Sequence, residues 1–164
     1  MEEFEDYLVR IPDGLYELRT FTAEELPCIT GVNIGLADLE AKVVFGWHLS
    51  VIFNFNDIAD NGMPSPTEVE DVKPWEDELD KVFIGDIGKP NALFLGRVTW
   101  NGTRELMYRV FEPEPIHQYL AGIIEAKSHP RWFGYRIDPD SEWELALWLF
   151  EKPSKRKKPW WKVW

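Results

Sequence analysis

Residues 92–111, ALFLGRVTWNGTRELMYRVF, decide the fold of this chain. Asn101-Gly102 lies between two strand-like runs, and this dipeptide is the preferred two-residue loop of a type I′ β-hairpin. Placing Trp100 opposite Thr103 puts three residues of the first run, Leu93, Leu95 and Arg97, across from Val110, Tyr108 and Leu106 on one face. We therefore predict a central antiparallel strand pair with one core-facing side.

The residues before the hairpin predict a strand and a helix. Residues 47–55, WHLSVIFNF, alternate apolar side chains with others, which is the period of a strand with one buried face. A helix is predicted over 67–83, because Thr67 offers an N-cap and Glu70 completes a capping box. Pro74 inside this segment indicates either a kink or a later helix start near residue 73.

The residues after the hairpin predict a second helix over about 115–127, a strand over 132–137 and a short helix over 142–150. From residue 47 the order is strand, helix, strand, strand, helix, strand, which is typical of a split βαβ arrangement. We predict an α+β fold: a ferredoxin-like antiparallel sheet with helices packed on one face.

The N-terminal third is expected to extend or cover this sheet. Residues 7–11 and 15–21 flank Pro12-Asp13-Gly14, a combination that predicts a hairpin, and residues 28–36 are expected to be extended but irregular. We predict one α+β domain over residues 1–150 and a basic, tryptophan-rich C-terminal tail over residues 151–164.

The net charge of −11 is unevenly distributed along the chain. Residues 151–164 hold six basic residues and one acid, a net of +5, which leaves 12 basic and 28 acidic residues, a net of −16, in residues 1–150. Such a body repels nucleic acid and anionic membranes and attracts basic proteins within a screening length of roughly 8–10 Å. We expect a basic protein partner, no nucleic acid and no membrane, although solubility alone would also explain the charge.

Cysteine usage and the first residues bear on the compartment. Cys28 is the only cysteine, so an intrachain disulfide or a thiolate zinc site is excluded. The opening MEEFEDYLVR has neither the basic start nor the apolar run of a signal peptide, and no stretch is apolar for long enough to span a membrane. We expect a cytoplasmic protein.

No residue pattern predicts catalysis or a cofactor. His48, His117 and His129 show no ligand spacing and are predicted to lie at the surface, and Cys28 lacks a nearby histidine in the sequence. Asp57, Asp60 and Asn61-Gly62, with Glu68 at the twelfth position from Asp57, faintly resemble a calcium loop, but the intervening ligands are missing and turn formation is favoured. We predict no catalytic residue, no metal and no cofactor.

The remaining charged residues are candidates for pairing or partner binding. Five arginines, Arg97, Arg104, Arg109, Arg131 and Arg136, could form a basic pocket or pair with nearby acids, and pairing is favoured. Clustered acids and tail tryptophans are the predicted partner-binding residues: Asp57, Asp60, Glu76, Asp77, Glu78, Asp138, Asp140, Trp160, Trp161 and Trp164.

Several stretches resemble the domain of unknown function 695 family. They are NGMPSPTEVEDV and WEDELDKVF in the first helix region, ALFLGRVTW and RELMYRVF in the hairpin, and DPDSEWELALWLF near residue 150. The resemblance spans about residues 7–150. It implies a ferredoxin-type fold of the RraB-like group, whose named member is a small acidic protein that inhibits an RNA-degrading enzyme by binding it. A binding role is therefore implied more than an enzymatic one.

The tail, KRKKPWWKVW over residues 155–164, lies outside that resemblance. Its lysines and tryptophans suit a membrane interface or RNA, but the −16 body opposes both. It could also fold back, with its tryptophans on the aromatic surface and its lysines beside the acidic body, or anchor a partner. We predict fold-back first and a partner anchor second.

The hypothesis from sequence is a non-enzymatic, acidic binding protein that inhibits or neutralises a basic protein, such as a nuclease or a toxin with a cognate immunity protein. The alternative is a small-ligand-binding or hydrolytic enzyme with a pocket between the sheet and the helices.

Overall fold

The computed structural model describes residues 11–12 and 14–151. Six strands form one sheet: β1 (Tyr16–Ala23), β2 (Leu26–Asn33), β3 (Trp47–Asn54), β4 (Ala92–Trp100), β5 (Thr103–Val110) and β6 (Phe133–Pro139). The helices are α1 (Pro66–Ile84), α2 (Pro113–Glu125) and α3 (Leu147–Phe150), with 3₁₀ turns at Ile34–Asp38, Lys42–Phe45 and Glu144–Ala146. The fold is α+β. No helix within the described ranges is both long and apolar enough to cross a membrane.

The strand order is β1-β2-β4-β5-β3-β6, and every neighbouring pair is antiparallel. Residues 15–21 belong to β1, which pairs with β2 through a turn at Glu24-Glu25, and the predicted pairing of this segment with residues 7–11 stays a prediction. Both turn residues have positive φ, 50° and 67°, which lets a two-residue loop reverse the chain. The other predicted strand of that hairpin, residues 7–11, lies almost wholly outside the described residues.

The central hairpin has the predicted register only near its loop. Trp100 pairs with Thr103 and Arg97 with Leu106, but the register shifts between Phe94 and Gly96. A bulge inserts one residue and moves the following side chains to the opposite face. Leu93 and Leu95 therefore lie on the face opposite Tyr108, a correction to the predicted pairing.

Both faces of the sheet are covered by apolar layers. On one face α1 and α2 pack on side chains of β3 and β5, and α1 buries one side at helical spacing through Val72, Trp75, Leu79 and Phe83. On the other face the 3₁₀ turns and α3 pack around Trp143. The expectation that all helices share one face was wrong for α3, because the second face is also apolar and needs its own cover.

The N-cap of helix α1 is Ser65, two residues before the predicted N-cap Thr67. Ser65 caps it by accepting a hydrogen bond from the Glu68 backbone N–H at 3.1 Å, and Pro66 occupies the first turn. The helix then continues through Pro74 without interruption to Ile84. Its continuous length matters for the site, because it forms one wall of a groove.

Candidate functional site

An open groove runs beside α1 because β1 and β2 extend the sheet further than the helices do. The side chains of Tyr16 and Leu18 on β1 point to the helix-bearing face but are 60% and 79% exposed. This sheet groove is defined by a floor of Tyr16, Leu18, Gly31, Phe94 and Arg97 and a wall of Glu76, Asp77 and Asp80. It encloses about 400 Å³.

The floor of the sheet groove follows one row of paired residues across the strands. Leu18 pairs with Gly31, Gly31 with Arg97, and Arg97 with Leu106. Gly31 provides no side chain, so the floor is lowest there. A Cβ built at Gly31 would meet Leu18 Cδ2 at 3.5 Å and Arg97 Cγ at 3.9 Å, which are ordinary contact distances. An added Cβ at Gly31 would therefore fit between these two side chains without a clash.

Aromatic rings line one end of the groove. The ring centroids of Tyr16 and Phe94 lie 6.3 Å apart, and those of Phe94 and Tyr108 lie 5.3 Å apart at a steep angle. At the other end a second depression of about 370 Å³ shares Leu18, Gly31 and Arg97 with the first. It is bordered by Ile29, Met63, Pro64, Val69, Thr99 and Arg104. The two depressions form one mainly apolar track along α1, with the paired Arg97 and Arg104 side chains within it.

Acidic side chains of α1 form the groove wall, and two of them bind side chains of the sheet. Glu76 bridges two arginines, with its Oε1 2.9 Å from Arg104 and its Oε2 3.6 Å from Arg97. Asp80 accepts a hydrogen bond from the Tyr108 hydroxyl at 3.0 Å. Burial, then the Asp80 charge, raises the pKa of Tyr108, so this phenol stays a donor.

Asp77 is the most accessible acid of the wall. It pairs with Lys73 one turn earlier at 3.0 Å, and both side chains are largely exposed. Such an exposed pair is worth little, roughly 0.3–0.5 kcal/mol, so a ligand cation could replace Lys73 at small cost. With an apolar floor and an accessible carboxylate at its rim, the groove can hold a ligand that carries both apolar and cationic groups.

The structure separates most of the acids predicted to bind a partner. Glu76 and Asp77 share the groove, whereas Glu78 lies towards α2, where, after burial, it raises the pKa of Tyr119. Asp57 accepts a hydrogen bond from Ser65 Oγ at 2.6 Å, and Asp60 is an exposed turn residue. Asp138 lies within β6 beside Arg136, and Asp140 follows β6 beside Arg109. The remaining predicted residues, Trp160, Trp161 and Trp164, lie outside the described residues.

The loop with calcium-like acids has a different arrangement. Glu68 is buried, and its carboxylate binds Arg131 and accepts hydrogen bonds from the backbone N–H groups of Asn56 and Asp57. Burial alone would raise the pKa of Glu68, but Arg131 and these N–H groups lower it overall. Within the described part of the chain, no group of three or more His, Cys, Asp and Glu side chains is placed to hold a metal ion.

The five arginines pair with acids, as favoured from the sequence. Arg97 and Arg104 bind Glu76, and each of the others has its own carboxylate: Arg109 with Asp140, Arg131 with Glu68 and Arg136 with Asp138. They do not form one basic pocket.

A buried polar layer lies on the sheet face opposite the groove. Arg109 is fully buried and donates hydrogen bonds to Asp140 Oδ2 at 2.9 Å and to the Asp140 backbone carbonyl at 2.5 Å. It also donates to His48 Nδ1 at 3.1 Å, and its guanidinium lies 4.6 Å from the ring centroid of Trp143. The predicted surface position of His48 was wrong, because Trp143 and its neighbours cover that face. Burial, then the charge of Arg109, lowers the pKa of His48 to about 3.

Sequence reasoning missed the groove residues Tyr16, Leu18, Gly31, Phe94 and Asp80. No motif marks them, since they meet only through the pairing of β1 with β2 and of β2 with β4. The available signal was the strand-like pattern of residues 15–21, which does not show which side of the strand is covered.

Comparison with known proteins gives a family but no function. Residues 18–149 match the model of DUF695, a family of unknown function, and the matched range includes every groove residue except Tyr16. No curated protein and no solved structure matches the chain.

Proposed function

Since the chain belongs to the DUF695 family, whose function is unknown, we propose from the sheet groove that it is a non-enzymatic binding protein for a basic partner segment. One observation carries this proposal: an exposed apolar floor around Leu18 lies directly beside the acidic wall of α1. A segment with apolar side chains towards the floor and lysine or arginine towards Glu76, Asp77 and Asp80 suits both surfaces.

The charge of the wall and of the chain favours a basic partner over an acidic or neutral one. Helix α1 carries seven acids and two lysines, a net of −5, and residues 1–150 carry −16. Such a field speeds encounter with a basic protein and disfavours acidic competitors. The apolar floor then supplies affinity, because burying apolar surface is worth roughly 25 cal/mol per Å² before the costs of association.

We propose that the partner is a basic protein that this chain inhibits or neutralises, such as a nuclease or a toxin, in the cytoplasm. Support comes from the −16 body and from the implied relation to the RraB-like group.

We also propose that residues 47–139 form a ferredoxin-like unit. The adjacent order β4-β5-β3-β6, with α1 and α2 on one face, supports this proposal, and β1 and β2 extend that unit to create the groove.

A peptide titration tests the proposed function. The probe is an eight-residue amidated peptide of alternating lysine and apolar residues, KWKLKWKL, and its control has glutamate at every lysine. Calorimetry at low ionic strength should detect binding of the basic peptide and not of the acidic one. The titration is carried out on the full chain and on a triple variant, Trp160→Ser, Trp161→Ser and Trp164→Ser, because tail tryptophans could compete with the probe.

Two matched pairs of variants locate the binding site. Leu18→Asp should weaken probe binding about tenfold, whereas Ile87→Asp should not, although Ile87 is 88% exposed and lies outside the groove. Asp77→Lys should weaken it about fivefold, whereas Glu78→Lys changes net charge equally on the other side of α1. Absence of binding to both chains, or equal effects within each pair, would overturn the proposal. A small molecule found in the groove instead would favour the alternative of a ligand-binding enzyme.

A further inference from the structure

We propose that residues 152–164 of this chain dock in the sheet groove and must be displaced before a partner binds. This inference rests on the proposed function of the groove and adds its regulation: the chain carries its own competitor. Three features favour this occupant: the place where the described chain ends, the reach of the remaining residues and their chemistry.

The described chain ends beside β1, the strand that carries the exposed floor of the groove. Arg19 donates from the same nitrogen to the carbonyl oxygens of Leu149 and Glu151, at 2.7 Å each. The Arg19 side chain is nearly buried and is also held by Glu17 at 2.8 Å. The described chain therefore ends against the Arg19 side chain, which lies on the face of β1 opposite Leu18.

The remaining length is enough to cross to the groove. Thirteen residues span at most roughly 43–47 Å when extended, at 3.3–3.6 Å per residue. The groove floor from β1 to β4 covers two strand spacings, about 10 Å, and passing from one face of a sheet to the other adds a similar distance. A turn at Pro153 or Pro159 still leaves residues to lie along α1.

The composition of the segment matches the groove. Residues 152–164 contain six basic residues and no acid, opposite a wall helix of net charge −5. The same residues include Trp160, Trp161 and Trp164, and the floor offers Tyr16, Leu18 and Phe94 as partly or largely exposed apolar surface. Tryptophan and arginine are the side chains that most often supply binding energy in such contacts.

Attachment to the same chain makes this segment an effective competitor. A short tether gives an effective concentration of about millimolar, so even a weak contact keeps the groove occupied until a tighter partner arrives. A free basic peptide should therefore bind the full chain less tightly than a chain whose tail cannot dock.

Cross-linking of the full chain tests the docking directly. Leu18→Cys and Trp161→Cys are combined in a Cys28→Ala background, and a short bismaleimide reagent is added. Docking predicts a rapid intrachain cross-link whose yield does not depend on protein concentration. The matched control combines Trp161→Cys with Trp132→Cys. Trp132 is also well exposed, at 69%, but adjoins β6 at the opposite side of the sheet, so its yield should be several-fold lower.

The outcomes separate this inference from the proposed function. Equal yields for the two pairs, or cross-links only between molecules, would overturn the docking, and the latter would show that the tail binds a second copy. A second readout is the KWKLKWKL titration, in which the triple tryptophan-to-serine variant should bind at least fivefold more tightly than the full chain. Equal binding contradicts the competition but leaves the groove as a binding site, whereas absence of binding to either chain removes the proposed function itself.

Discussion

Glu105 on β5 is a buried carboxyl group with one satisfied oxygen. Its Oε2 accepts a hydrogen bond from Ser50 Oγ at 2.5 Å, and among the described residues its Oε1 has no hydrogen-bond partner. Burial raises the pKa of Glu105 to about 7, although the Ser50 hydrogen bond opposes the shift. A carboxyl group in this position favours its protonated form, so it makes folding depend on pH.

We expect Glu105→Gln to stabilise the protein above neutral pH. The folded pKa of about 7 exceeds the ordinary 4.5, so stabilisation by the protonated group is complete below pH 4.5 and is lost as pH rises through 7. Glutamine keeps the shape without the charge, so the variant should gain about 3 kcal/mol at pH 8 and little at pH 4. Urea unfolding of both proteins from pH 4 to pH 8 measures this difference.

The test uses the difference in the free energy of unfolding between the two proteins at each pH, rather than the pH profile of either protein alone. The pKa of His48 is lowered to about 3, so His48 stabilises the folded state above pH 6.5 and loses that contribution as pH falls. Subtracting the profiles cancels His48. Glu70→Gln, an exposed position on α1, should give a flat difference, and a flat difference for Glu105→Gln would contradict the buried charge.

At the residue scale, the sequence showed the periodicity of β3 but not what covers each face. The alternation in residues 47–55 correctly placed Leu49, Val51 and Phe53 in the core. It also assigned His48 and Ser50 to a polar side, and both are buried. Polar residues on a strand indicate solvent only when nothing packs on that side, and here Trp143 arrives from almost 100 residues later in the chain.

At the scale of elements, the bulge in β4 decides which leucines face which core. Gly96 follows the extra residue, and a Cβ built there would lie 2.6 Å from the carbonyl oxygen of Gly31. Real Cβ atoms do not approach backbone so closely, so only glycine lets β2 and β4 pair at this point. The Asn-Gly loop predicted the hairpin, but a bulge depends on contact with β2, which lies more than 60 residues earlier.

We expect Gly96→Ala to destabilise the fold by about 2 kcal/mol, because β2 or β4 must shift to relieve the clash. Gly31→Ala is the matched control on the paired strand. The Cβ added at Gly31 would lie 3.5 Å from Leu18 Cδ2, its nearest neighbour and the end of a flexible side chain. That control should leave stability within about 0.5 kcal/mol of the starting protein. Urea unfolding of both variants measures the difference, and equal losses would show that the close approach of β2 to β4 is not limiting.

At the scale of the whole molecule, the groove exists because of strand order. The sequence predicted the helices, the hairpin and an α+β fold, since each depends on local periodicity or turn chemistry. The groove instead requires β2 to pair with β4, which brings residues 28–32 beside residues 96–100. Single-sequence patterns do not contain that pairing, so Glu76 and Asp77 were found among the acids while their apolar floor was not.

The separation of charge between body and tail predicts a salt-dependent contribution to stability. We expect the variant with Gln at residues 155–158, which removes four positive charges, to be about 1 kcal/mol less stable than the full chain at about 20 mM salt. The difference should vanish near 500 mM, where the screening length falls to roughly 4 Å. Urea unfolding at both salt concentrations measures it, and Arg at residues 155–158 is the charge-preserving control. A loss that persists at high salt would show that these side chains act by packing rather than by attraction to the −16 body.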